Sequence, residues 1–286
     1  MEGTPIKNYI SGGIMGLATL ISILVNPCLI YYYRRFRNSW IHRYYYFLSI
    51  AHLCYAIFRG IPFTCELLLS SRLRSVSWKW YDEFLEVPAQ LSGASVTTIV
   101  CVTVMVQHLN IYHPLWTVIN GASQFRQYAI LIIGSIYLTF YVPALVLLII
   151  IRYENLLSNN QSNINKVNLI FCIPTILFTI FSSCLYVITR VKFLALNPEE
   201  DQIEITRKEF RIVNVLIVFG LVWMAATITY IILVFFDGSE DFSFAIMVCG
   251  KMEVLAQIAV TAGAIFFNEN QVRSYFLFCR FQNGAG

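Results

Sequence analysis

Seven apolar stretches of 23 to 26 residues occupy positions 10–33, 44–69, 87–112, 128–151, 167–189, 212–236 and 242–267, separated by short polar links. A bilayer's hydrocarbon core is about 30 Å thick and a helix rises ~1.5 Å per residue, so about 20 apolar residues span it. Each stretch meets that length. The runs are long and continuous, whereas barrel strands alternate over about 10 residues, so helices are expected. Helices also satisfy their own backbone groups in lipid. The expected fold is all-α: one domain over residues 1–286, built as a bundle of seven transmembrane helices.

Composition agrees with this reading. Apolar residues make up 58% of the chain and charged residues 13%, and the mean hydropathy is +0.65. An ordinary soluble domain carries about 25% charged residues. The net charge of +4 does not point to nucleic acid, because the basic residues sit at the ends of the stretches and form no patch interleaved with aromatics. Most of the eight cysteines fall inside the stretches (Cys28, Cys54, Cys101, Cys172, Cys184, Cys249), where the default role is that of a small packing residue.

Lysine and arginine orient the bundle. Twelve fall on one side: Arg34, Arg35, Arg37 and Arg43 in the first link, Arg126 in the third, Arg190, Lys192, Arg207, Lys208 and Arg211 in the fifth, and Arg273 and Arg280 in the tail. Six fall on the other, leaving Arg59 and Lys251 inside stretches. The positive-inside rule then places the N-terminus outside and the C-terminus in the cytoplasm. In that orientation the sequon Asn160-Gln161-Ser162 is extracellular, which makes Asn160 a candidate glycosylation site. The first stretch is expected to act as its own insertion signal. Residues 268–282 place Val272, Tyr275, Phe276 and Cys279 on one helical face, so a short amphipathic helix lying on the inner leaflet is expected. Cys279 is either palmitoylated there or unmodified.

Several local patterns resemble those of rhodopsin-like G-protein-coupled receptors. Asn26 followed by Leu29 resembles Gly-Asn-x-x-Val, with Val25 in place of glycine. Leu48-Ser49-Ile50-Ala51-His52-Leu53 is similar to the Leu-Ala-x-Ala-Asp-Leu run, with His52 in place of the aspartate. The run into His113-Pro114-Leu115 resembles the inner end of the family's third helix, where the Asp-Arg-Tyr triad reads Val106-Gln107-His108. Pro143 and Pro174 take helix-kink positions. Phe219 and Trp223 keep the Phe-x-x-x-Trp spacing, with Ala225 where proline is usual. The Asn-Pro-x-x-Tyr motif is missing, and residues 151–165 hold no cysteine for the family's outer disulfide.

Divergence of this kind in a compact chain resembles the nematode serpentine chemoreceptors. The stretches Tyr31-Tyr32-Tyr33-Arg34-Arg35-Phe36-Arg37-Asn38 and His52-Leu53-Cys54-Tyr55 to Arg59-Gly60-Ile61-Pro62-Phe63 point to their XA class. That resemblance implies binding of an extracellular small-molecule ligand, coupling to a heterotrimeric G protein, and location in the plasma membrane, including the sensory cilium.

Ionisable groups inside a membrane cost roughly 2.5 to 3.5 kcal/mol each on insertion scales and need a partner or a use. Arg59, Lys251 and Glu253 stand at similar expected depth. They either line an outward-opening cavity for a polar or anionic ligand, with Arg59 or Lys251 as cationic anchor, or Arg59 and Glu253 form an internal ion pair while Lys251 snorkels. Lys251 also invites a retinal-type Schiff base, but it lies about one turn too far outward for that resemblance. Trp223 is either a ligand-responsive switch beneath the cavity or ordinary packing. His52 reads as a buried histidine bonded to a backbone carbonyl ahead of a metal ligand.

On the cytoplasmic side, Gln107 and His108 at the triad positions, with Arg207, Lys208 and Arg211, are the candidate G-protein contacts. Gln107 can hydrogen bond there without charge, and the three basic residues read equally as solvated span-flanking charge or lipid contacts. No spacing of His, Cys, Asp or Glu fits a zinc site, and no phosphate loop or nucleophile elbow is present, so neither cofactor nor enzyme activity is expected. The leading reading is a chemosensory receptor; the alternatives are a seven-helix transporter or channel subunit and a receptor relative that no longer signals.

Overall fold

The computed structural model describes residues 5–35, 40–69, 76–112 and 162–195, together with individual positions between 131 and 150, 213 and 232, and 258 and 266. Every described residue is helical. Helix α1 runs Pro5–Arg35 and α2 Trp40–Tyr55; a π turn, Ala56–Gly60, joins α2 to α3, Ile61–Leu69. Helix α4 is Val76–Tyr112 and α5 is Ser162–Ala195. Four apolar segments are long enough to cross a bilayer: Tyr9–Arg35, His42–Cys65, Pro88–Tyr112 and Ile173–Ala195. The protein is a membrane protein. The scattered described positions of the other three apolar stretches are helical too, and residues 268–282 lie outside the described residues.

Burial is arranged for lipid. On α1 the large exposed side chains include Ile10, Ile14, Leu17, Ile21 and Leu24, and on α5 Ile173, Leu177, Phe181, Ile188 and Val191. An aqueous surface does not carry apolar faces of that length, but hydrocarbon solvates them at no cost. The interior is correspondingly polar: α4 buries Ser92, Thr98, Thr103 and Gln107, and α5 buries Thr175, Thr179, Ser182 and Thr189. Thr98, Thr103 and Thr179 each return a hydroxyl proton to the carbonyl four residues back, which removes the desolvation cost without needing a neighbour. Of the four apolar segments, the one in α4 is the most enclosed, at 61% buried against 28% for those of α1 and α5. It packs on α2 and on α5.

Side-chain contacts fix the running directions. Tyr33 of α1 packs on Tyr45 of α2, with ring centroids 5.7 Å apart, while at the other end Gly16 faces Thr64 and Gly12 faces Leu68. Numbers rise on one helix as they fall on the other, so α1 and the α2–α3 rod are antiparallel. Their approach is close because of the glycines. A Cβ built at Gly12 would stand 2.8 Å from Leu68 Cδ2 and 3.2 Å from Leu67 Cβ, and one at Gly16 would stand 3.2 Å from Thr64 Cγ2. This Gly-x-x-x-Gly spacing puts two missing side chains on one face, the arrangement that lets membrane helices approach. Six residues separate α3 from α4, too few to recross a ~30 Å core at ~3.5 Å per residue, so α4 turns back and packs on α2 and the π turn.

The α4–α5 pair behaves differently. Cys101 lies beside Ser182, His108 is hydrogen-bonded to Thr189, and Lys192 lies over the Tyr112 ring. Numbers rise together, so α4 and α5 are parallel. Helix α5 is in turn antiparallel to the described part of the sixth stretch, because Tyr186 donates to Asn214 while Thr179 faces Gly220.

The main core cluster joins Leu29, Tyr33, Tyr45, Leu48, Val100 and Val104 with Tyr186 and Phe193, and includes Val213, Leu216, Ile217, Ala262 and Ile265 from the sixth and seventh stretches. A smaller cluster holds Met15, Ala18, Phe63, Leu67 and Ala259.

Candidate functional site

Three places carry polar chemistry inside the apolar segments. The first is the π turn. Ile61 N–H donates to the carbonyl of Ala56, five residues back. The cause is Pro62, which has no N–H and whose ring would strike the carbonyl of Phe58 in a regular helix. Widening the turn by one residue relieves that clash. The pattern repeats in the fourth stretch: Thr139 and Tyr141 are π-helical, and Pro143 follows Tyr141 at the spacing by which Pro62 follows Gly60.

Arg59 sits in this turn, partly buried, with its guanidinium 5.6 Å from the Phe63 ring centroid. Cation and ring are one helical turn apart, close enough for the aromatic face to stabilise the charge. Arg59 lies within the apolar segment His42–Cys65, in a rod whose helix runs on to Leu69. The residues expected to accompany it, Lys251, Glu253 and Trp223, lie outside the described residues, as do Phe219 and the sequon at Asn160.

The second place is the far end of α4. Gln107 is 3% exposed, and among the described residues neither its amide nitrogen nor its oxygen has a hydrogen-bond partner. An unmet buried polar group costs about 1 to 3 kcal/mol. His108, beside it, is held firmly: Nδ1 is 3.0 Å from Thr189 Oγ1. Because the Thr189 hydroxyl already donates to the Leu185 carbonyl at 2.6 Å, its oxygen must accept, which assigns the proton to His108 Nδ1. The imidazole also stacks on Tyr112, with centroids 4.3 Å apart, and Lys192 Nζ stands 5.2 Å from the centre of the Tyr112 ring. Thr189, His108, Tyr112 and Lys192 thus tie the ends of α4 and α5 together. Arg207, Lys208 and Arg211 lie outside the described residues.

A third set of polar atoms lies on α1 and α2. Asn26 is fully buried and donates through Nδ2 to the Ser22 carbonyl at 2.8 Å, and its Oδ1 has no partner among the described residues. His52 is 1% exposed, and neither its Nε2 nor Ser49 Oγ has a partner among the described residues. No group of three or more His, Cys, Asp or Glu among the described residues is placed to hold a metal ion.

Sequence reasoning singled out Arg59, His52, Gln107 and His108, and the structure describes all four. It missed Thr189, Tyr112, the α1 glycines and the role of Pro62. The Gly-x-x-x-Gly spacing could have revealed the glycines, whereas Thr189 is 81 residues from its partner and carries no local mark. Compared with models of protein families and with curated proteins, the chain matches none.

Proposed function

We propose that this chain is a seven-helix, rhodopsin-like chemosensory receptor of the plasma membrane, with its N-terminus outside, binding a small extracellular ligand and signalling through a heterotrimeric G protein. The observation that carries the reading is the parallel run of α4 and α5. Two consecutive long helices can both cross in one sense only if the chain between them returns, and the fourth apolar stretch is the segment long enough to do so. Its described positions are helical, and Tyr141 meets α5 with its hydroxyl 3.5 Å from Thr175 Oγ1. The antiparallel pairing of α5 with the sixth stretch and the presence of Ala262 and Ile265 of the seventh in the core support the seven-helix reading.

In this reading Arg59 is the cationic anchor for an anionic or polar ligand, and Lys251, Glu253 and Trp223 line the same cavity. Gln107, His108, Arg207, Lys208 and Arg211 face the G protein when the helices part. Ligand acts by binding one helix arrangement more tightly than the other. The test is ligand-dependent nucleotide exchange on a co-expressed G protein. An acid-rich odorant panel that stimulates exchange on the parent chain and not on Arg59→Gln supports the reading; silence of the parent across the panel counts against it.

One observation favours a second reading, a receptor relative that no longer signals. Gln107 is buried and uncharged at the position where the resemblance calls for arginine, and its neighbour His108 is engaged by Thr189. Robust surface expression with no exchange under any ligand or with a constitutively coupled partner would select it.

A further inference from the structure

Charge is divided between the two ends of the described helices. Helices α1, α4 and α5 run parallel and α2 runs against them, so the last turns of α1, α4 and α5 share one end with the first turn of α2. That end carries Arg34, Arg35, Arg43, Arg190 and Lys192. The acidic residues of the described helices, Glu66, Asp82, Glu83 and Glu86, belong to the opposite end, the first to α3 and the others to the start of α4. Residues 3–65 contain no Asp or Glu, so neither α1 nor α2 can neutralise its own arginines.

Three of the cations meet at the α1–α2 seam. The Tyr33 and His42 rings are 5.3 Å apart, and Arg34 and Arg43 are the next residues along the two helices, with Arg35 following. Arg34 and Arg35 are exposed and Arg43 is half-buried. Tyr31, 51% exposed, precedes Arg34 and Arg35 by three and four residues, and Phe47, 56% exposed, follows Arg43 by four, so each arginine shares a helical face with an aromatic that stands in lipid. A tyrosine near the end of a span sits at headgroup level. The guanidinium groups therefore stand where lipid phosphates lie, not over the interior of the bundle.

We propose that Arg34, Arg35 and Arg43 form a binding site for the phosphorylated headgroup of a membrane lipid, a phosphoinositide. A guanidinium fork takes a phosphate through two parallel N–H···O bonds, a geometry that lysine does not offer. Three forks rooted on both sides of one seam suit a headgroup with several phosphates better than the single carboxylate and phosphodiester of phosphatidylserine. The aromatic neighbours hold the site against the bilayer, which selects a lipid over a soluble phosphate. Bound there, the headgroup bridges α1 to α2. The proposal goes beyond the receptor reading and stands without it, because it depends on which residues share an end and not on which side of the membrane that end faces.

Thermal unfolding of the full-length chain in nanodiscs tests the site, and because a disc carries its lipids in both leaflets the result does not depend on orientation. Discs of phosphatidylcholine alone are compared with discs that also contain phosphatidylinositol bisphosphate or phosphatidylserine at matched surface charge. The bisphosphate is expected to raise the unfolding midpoint of the parent chain, and phosphatidylserine to raise it less. Arg34→Gln, Arg35→Gln and Arg43→Gln together abolish that difference, each arginine removed weakening lipid binding about fivefold. Lys7→Gln with Lys79→Gln, at the opposite end, leaves it unchanged. Should the glutamine variant not fold, Arg34→Lys, Arg35→Lys and Arg43→Lys keep the charge and are expected to bring the bisphosphate midpoint down to the phosphatidylserine one. Equal stabilisation of the parent by the two lipids would overturn the phosphate site in favour of diffuse attraction, and a full bisphosphate shift in either arginine variant would overturn its assignment to these residues. Soluble inositol trisphosphate that matches the lipid's effect on phosphatidylcholine discs would overturn the lipid as the source.

Discussion

Gln107 is the residue at which stability and proposed use pull apart. Its carboxamide brings two donors and an acceptor into a site that engages neither polar atom, and burial at 3% exposure denies it water. Gln107→Met keeps length and flexibility while removing the unmet groups, so it is expected to raise thermal stability in detergent by about 1 kcal/mol. If the carboxamide is retained for a cytoplasmic partner, the same substitution lowers ligand-stimulated exchange; unchanged exchange with raised stability would assign Gln107 no role in coupling. His108 shows the opposite balance, with its proton placed and its ring stacked. A double-mutant cycle between His108→Phe and Thr189→Val is expected to give a coupling of ~0.6 kcal/mol in unfolding measurements, the usual size for an interhelical hydrogen bond in a membrane protein. A coupling near zero would mean that stacking on Tyr112, and not the hydrogen bond, holds the ring. The sequence exposed Gln107 and His108 through their place in a motif-like run. It could not show that one is stranded and the other satisfied, since that depends on α5 meeting α4 81 residues later.

At the scale of elements, hydropathy located the helices well and their fit poorly. The stretches at 10–33 and 87–112 lie inside α1 and α4. Average apolarity is a property of the solvent around a helix, and the sequence carries it directly. Helix-to-helix fit depends on single positions that averaging erases: Gly12 and Gly16. Gly12→Val is expected to destabilise the chain by roughly 1 to 3 kcal/mol through overpacking against Leu67 and Leu68, read as lost folded protein after detergent heating. Gly13→Ala, next to it, meets nothing within 4 Å and should be neutral or slightly stabilising, because alanine is the better helix former. Equal effects at the two positions would mean that helix propensity, and not the α1–α3 contact, governs this segment.

For the whole molecule, the direction of each helix says more than the number of apolar runs. Hydropathy counts seven candidates but does not reveal whether any of them fails to cross, and the arginine asymmetry orients the set only if all of them do. The parallel α4–α5 pair removes that circularity for the fourth stretch, because a chain leaving α4 at Tyr112 must regain the opposite face before α5 begins at Ser162. Single cysteines placed on either side of that stretch test the point. With a membrane-impermeant thiol reagent on intact cells, Ser158→Cys is expected to label and Ser123→Cys to label only after permeabilisation, each measured against the parent chain. Enzymatic deglycosylation should lower the apparent mass of the parent chain and leave Asn160→Gln unchanged if Asn160 carries the glycan. Labelling of both cysteines from one side would mean that residues 128–151 do not cross. Helices α4 and α5 could then not both span the bilayer in the same sense, and the seven-helix receptor reading would fall with them.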